Sequence, residues 1–164
     1  MARVKSLVKE IAIGAVLLFI LSNIISYVRK PALDSNILPS LNVTLLDGSN
    51  YTQKHTKPLV VHFWATWCPT CKLEASNIEH ISSEYEVLSI AVNSGSDAEL
   101  KQYMKENELT FRVVNDTKGR WAKRFNVEAF PTTFIYDAKG VLSFTEVGYT
   151  TTAGLLARLK MIGL

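Results

Sequence analysis

Only two cysteines, Cys68 and Cys71, occur in the 164 residues. That scarcity excludes a secreted scaffold held by several bridges, and a four-cysteine zinc site would need a second such pair. Lys72 rather than histidine follows the second cysteine, so the c-type haem attachment motif is absent. The histidines are few as well, and no His/Cys/Asp spacing suggests a dedicated metal site; His55 and His80 read as surface residues. There is no internal repeat, no low-complexity segment and no composition bias of the disordered kind. Most of the chain also lacks an excess of either charge. The net charge is +3, but five of the 18 basic and two of the 15 acidic side chains lie in residues 1–40, which leaves the remainder balanced. A basic excess confined to the N-terminus excludes a nucleic-acid-binding face.

What the N-terminus holds is a charge-free run over residues 11–28, preceded by Arg3, Lys5 and Lys9 and followed by Arg29 and Lys30. Eighteen residues of helix reach ~27 Å, close to the ~30 Å hydrocarbon core of a bilayer. No small-x-small cleavage site follows the run, and no cysteine near it forms a lipobox. The expectation is a basic cytoplasmic segment at 1–10, an uncleaved signal-anchor spanning the membrane at 11–28, a linker at 29–40 carrying Pro31 and Pro39, and a folded domain at 41–164. A cleaved signal peptide and a buried helix are the alternatives.

Within the domain, Leu41, Val43 and Leu45 alternate with polar residues up to Asp47-Gly48, a hairpin signal. Leu59–Trp64 reads as a strand buried on both faces. The period then changes: Cys71, Ala75, Ile78, Ile81 and Tyr85 predict a helix from Pro69, a residue suited to the first turn. Strands follow at 87–92, 111–114, 132–136 and 141–147. Between them come a helix opened by the Ser96/Glu99 capping box and a short one capped by Asp116. Thr152 opens the last helix. Helices between strands imply parallel pairing, and the closing hairpin adds antiparallel strands. The fold class is α/β, a mixed central sheet with helices on both faces.

The two thiols sit three apart where a strand gives way to a helix. Spacing and place make a redox pair the leading reading, over a structural disulfide or an inert pair. Cys68 falls at the helix N-terminus, where the helix's partial positive charge favours a thiolate, the attacking species. Cys71, one turn on, is placed to resolve a mixed disulfide and is expected to be the more buried thiol. Glu74 shares its helix face and is placed to accept its proton; a solvated first-turn glutamate is the bland reading. His62, in the strand beneath, reads either as a proton shuttle or as a hydrogen-bonded core histidine. The same two thiolates can also hold soft Cu(I), which makes a copper-delivery module an alternative.

Phe63-Trp64-Ala65-Thr66-Trp67-Cys68-Pro69-Thr70-Cys71, followed by Phe130-Pro131-Thr132-Thr133-Phe134, resembles the thioredoxin superfamily over roughly residues 41–164. The closest look is to membrane-anchored TlpA/ResA/DsbE-like protein disulfide oxidoreductases, and among these to the ScsD type. The resemblance implies a thioredoxin-like fold with an N-terminal β-hairpin extension behind the anchor. It also implies a single-pass protein of the bacterial cytoplasmic (inner) membrane whose domain faces the periplasm. The expected activity is dithiol–disulfide exchange with extracytoplasmic proteins, with a membrane electron donor or acceptor as a further partner. Neither an organic cofactor nor a metal is required. It makes Pro131 a cis-proline beside the cysteines, leaving the Phe130 backbone free for an extended substrate, with Trp67, Pro69 and Thr70 completing the groove. A DsbE-type reductase of cytochrome c maturation is the alternative within the family, although Thr132 stands where that branch usually has Glu. His62 stands where thioredoxin has a buried Asp.

Overall fold

The computed structural model describes residues 9–14, 16–17, 20–21, 24, 28–33, 35–54 and 56–163. The chain forms two compact units, Met1–Lys30 and Pro31–Leu164. In the first, the described residues between 9 and 21 are helical, with Ile11, Val16, Leu17 and Leu21 exposed. Much of the span expected over 11–28 lies outside the described residues; among those described, no helix is long and apolar enough to cross a membrane.

The second unit is built on a five-stranded sheet. Its strands are β3 (Leu59–Trp64), β4 (Glu86–Val92), β5 (Arg112–Asp116), β6 (Thr132–Tyr136) and β7 (Leu142–Val147), in the order β5-β4-β3-β6-β7. β1 (Asn42–Thr44) and β2 (Asn50–Thr52) form a separate antiparallel pair. Their turn is the expected one: Gly48 takes a φ of 91°, which a side chain would resist, and Asp47 accepts from the Ser49 amide at 2.8 Å.

All six residues of β3 are buried. Because successive side chains alternate across a strand, Val61 and Phe63 enter one core with Leu88, Ile90, Phe134 and Phe125. Val60 and Trp64 enter the other with Ile135, Ile78 and Leu155. β3 pairs in parallel with β4 through α1 (Pro69–Ser82), and β4 with β5 through α2 (Asp97–Glu106). The short α3 (Arg120–Arg124) leads into β6, which runs antiparallel to β3 and β7. α4 (Thr152–Ile162) closes the chain. α1, α2 and α4 contribute to the Val60 core and α3 to the Phe63 core, so helices cover both faces as expected.

The linker expected over 29–40 is a point of difference. Leu38 is buried and donates to Gly140 O at 2.8 Å. Ile37 bridges Val141, Leu142 donates to Asn36 O at 2.7 Å, and Leu33 packs on the core. The physical reason is that these contacts join residues a hundred positions apart, so no local periodicity announces them. The compact unit therefore begins at Pro31 rather than Leu41.

Both helix caps read from the sequence form, the second by a longer reach. Ser96 and Glu99 make the reciprocal capping box of α2. At α3 the cap position is Gly119, and Asp116 acts from the end of β5. Its buried carboxylate accepts from the amides of Arg120, Trp121 and Ala122 at 2.8, 2.9 and 3.0 Å. Asp116→Ala strips three amides of their acceptor and is expected to cost about 3 kcal/mol. The check is a lower urea midpoint at unchanged denaturant slope.

Candidate functional site

α1 begins where the apolar run of β3 ends, and Cys68 is its cap residue. Extended backbone at Cys68 (φ −88°, ψ 115°) turns its sulfur back over the first helical turn, where it accepts from the Cys71 amide at 3.2 Å. Pro69 occupies a position whose amide would have no helical partner. Both cysteines are free thiols and both are buried, Cys71 at 2% exposure slightly more than Cys68 at 5%. Burial, followed by the neighbouring Cys68 sulfur, pushes the Cys71 thiol far up. Cys71 is therefore a neutral thiol in the dithiol form.

Across from α1, the Phe130-Pro131 bond is cis, and the Cys68 thiol donates to Phe130 O at 3.7 Å. Trp67 is 57% exposed. Its ring stands perpendicular to that of Phe130 at 5.7 Å, and its indole N–H donates to Asn93 O at 3.1 Å. Pro69 is exposed, Thr70 and Phe130 are half-buried and Pro131 is buried. The structure thus gathers Trp67, Cys68, Phe130 and Pro131 around one sulfur, with Pro69 and Thr70 in the turn beside it.

Glu74, on the Cys71 side of α1, has no exposed surface. One carboxylate oxygen accepts from the Thr150 amide at 2.8 Å, and the other has no hydrogen-bond partner. Burial pushes this carboxyl up to about 8; the Thr150 bond opposes the shift and the Glu146 charge adds to it. The loop that supplies Thr150 is held in turn by Asn77, which donates to Thr150 O at 2.9 Å and accepts from the Thr152 hydroxyl at 2.9 Å.

His62 has the parity of Val60 and Trp64 and so lies on the α1 face of β3. Its Nδ1 is 2.9 Å from the hydroxyl of Thr133, its cross-strand partner in β6. Burial pushes the imidazole down to about 3, so the ring stays neutral through the whole neutral range. Of the two readings of the sequence, this environment is that of the hydrogen-bonded core histidine.

Several residues of the site were invisible in the sequence. Thr150 holds Glu74 and Asn77 holds Thr150, yet they lie in a loop and on a helix with no motif of their own. Ser94 was equally silent: it accepts from the Thr66 amide at 3.1 Å and donates to Val92 O at 3.1 Å, fixing the start of the turn that carries Cys68. Tyr103 read simply as part of an apolar helix face. Among the described residues no group of three His, Cys, Asp or Glu side chains is assembled to hold a metal. A cavity of about 750 Å³ among Lys57, Glu79, Glu86 and Arg112 lies at the ends of β4 and β5 remote from the thiols.

Known proteins resemble this chain. The family profile described as Redoxin matches residues 32–159. A "Thioredoxin-like protein" of Haemophilus influenzae is 31% identical over 162 residues, covering 96% of this chain and 95% of the relative. The "Thiol:disulfide interchange protein DsbE" of the same organism is 30% identical over 125 residues, 73% of this chain and 68% of its own. "Sporulation thiol-disulfide oxidoreductase A" of Bacillus subtilis is 32% identical over 103 residues, 58% of this chain and 62% of its own. The crystal structure of StoA from Bacillus subtilis superposes with a TM-score of 0.66 at 22% identity, covering 75% of this chain and 98% of that one, a likeness of fold.

Proposed function

We propose that this chain, which belongs to the Redoxin family, is a thiol–disulfide oxidoreductase acting on extracytoplasmic proteins, with Cys68 as attacking and Cys71 as resolving sulfur. The observation that carries the reading is the setting of Cys68. Its sulfur lies between the first-turn amide of Cys71 and the carbonyl of Phe130, next to a cis-proline. The names of the relatives above support the reaction class.

In the reductive direction the Cys68 thiolate attacks a partner disulfide. One partner sulfur leaves with its electron pair and is protonated. Cys71 then gives up its proton and attacks Cys68, and the second partner sulfur leaves. Two electrons pass to the partner and a Cys68–Cys71 disulfide remains. Glu74 lies on the Cys71 side of the helix with its carboxyl pushed up to about 8, so the ionised form that can take that proton grows as pH rises towards 8. His62 stays neutral and packs beneath the site. Residues 11–28 anchor the domain on the outer side of the cytoplasmic membrane, where a membrane protein exchanges electrons with it.

The working direction is reduction of partners. Thr70 stands between the cysteines, where strong oxidants that resemble DsbA often have His. A redox titration of the Cys68–Cys71 pair is expected to give a two-electron midpoint near about −270 mV; one near about −120 mV overturns the direction. A pair that forms no disulfide at any potential overturns the reading itself.

A further inference from the structure

α2 carries Glu99, Gln102, Tyr103 and Glu106 at helical spacing, hence along one side. With Trp67 and the loop from Asn93 to Gly95 these residues line a cavity of about 450 Å³. It opens beside the redox turn: Thr66 and Trp67 form part of its wall, and Cys68 is the next residue.

The wall is held in place. Trp67 and Thr66 are bonded to Asn93 O and Ser94 Oγ, and Asn115 donates to Gly95 O at 3.1 Å. Tyr103 is half-buried. Its phenol is pushed up by burial and then by the Cys71 and Cys68 sulfurs, which places the ring within electrostatic reach of both. The charged groups in the lining are of one sign, Glu99 and Glu106. The bonds from Ser96 hold the Glu99 carboxyl below its usual range, so it is ionised. Glu106 accepts from Gln102 at 2.7 Å. Lys101, on another side of α2, lines a different cavity with Asp47.

We propose that this cavity is a subsite for a basic side chain, lysine or arginine, flanking the reacting cysteine of the partner polypeptide. The proposal rests on the exchange reaction above and adds the class of partner. An extended chain advances ~3.3 Å per residue, so a neighbour of the attacked cysteine is within side-chain reach of the Trp67 wall. A cation there meets the rings of Trp67 and Tyr103 and two exposed carboxylates, contacts that are each modest at an exposed site and act together. An acidic side chain meets like charge, and an aliphatic one gains no attraction from either carboxylate.

The test uses the reduced full chain and the symmetrical disulfide dimers of three peptides that differ only in the residues on both sides of one cysteine: lysine, alanine or glutamate. Each turnover oxidises Cys68 and Cys71 to a disulfide and releases two peptide thiols, which are counted. The second-order rate constants are expected in the order lysine, alanine, glutamate, with lysine about tenfold above alanine, and to converge as salt is raised. Glu106→Lys is expected to bring the lysine and alanine constants together. Glu84→Lys, the same change of charge at the other end of the sheet, is expected to keep them apart. Equal constants for the three peptides, or the same convergence in Glu84→Lys, overturn the subsite and leave the exchange reaction standing. Absence of exchange with all three overturns both.

Discussion

Cys71→Ser is expected to accumulate partner proteins as mixed disulfides on Cys68, and Cys68→Ser to accumulate almost none, while both lose about a thousandfold or more in turnover. The asymmetry follows from geometry. Cys68 stands at the end of α1 with its sulfur bonded to an amide of the first turn, beside exposed Trp67 and the Phe130 carbonyl. Cys71 lies one turn deeper, against the sheet-side core, with its thiol pushed up by burial. An attack on an outside disulfide therefore begins at Cys68, and only an attack from within the helix can begin at Cys71. Thiol alkylation followed by non-reducing electrophoresis reads the trapped species. Equal trapping by the two variants, or full exchange in both, overturns the assignment of roles.

The second large effect is on stability against pH, because two buried groups are displaced in opposite senses. His62 has a folded value of about 3 against an ordinary 6.5. Below about 6.5 the unfolded chain takes up a proton that the folded protein refuses, so stability falls as pH falls from there towards 3. Glu74 has a folded value of about 8 against an ordinary 4.5. Above about 4.5 the unfolded chain releases a proton that the folded protein keeps, so stability falls as pH rises towards 8. Between these ordinary values the two slopes cancel, giving a plateau from about 4.5 to 6.5 with a descent on each side. Linkage at about 1.4 kcal/mol per pH unit gives each group on the order of 5 kcal/mol across its window. That is a large part of the roughly 5–15 kcal/mol that holds a domain folded. Glu74→Gln keeps an acceptor for the Thr150 amide and removes the alkaline descent; with nothing to cancel the His62 slope, the acid descent then begins at about 6.5. Urea unfolding with both cysteines reduced, from pH 4 to pH 9, makes the comparison. An alkaline descent that survives in Glu74→Gln overturns the account.

The sequence carried the elements that depend on neighbours along the chain. The buried run of β3, the change of period at Pro69, the Asp47-Gly48 turn and the Ser96/Glu99 box are local patterns, and each stands where it was read. So was the helix end that receives Cys68. What the sequence could not carry are bonds whose two partners belong to different elements. Glu74 was legible as a carboxylate near a thiol, but the Thr150 amide that holds it is 76 residues away. Thr133 is 71 residues from His62. The seating of Leu38 depends on Gly140, and without that strand end the prolines around it read as a tether. Asp116 lies between the cases: its role as a cap was visible, but its reach of up to six residues, past Gly119, was not.

α1 is fastened to the domain by two of its own carboxylates. Glu74 holds the Thr150 amide near the sulfurs. One turn and a half along, Glu79 holds the amides of Thr110 and Phe111 at 2.7 and 3.2 Å and the hydroxyl of Thr110. A helix pinned at both ends to different parts of the structure acts as a strut. When the sulfurs join or part, it has no freedom to slide, and the adjustment is confined to the single turn between Cys68 and Cys71. The oxidised and reduced proteins are then expected to present nearly the same silhouette. A partner must tell them apart by the charge and hydrogen bonding of one sulfur, at the range of direct contact.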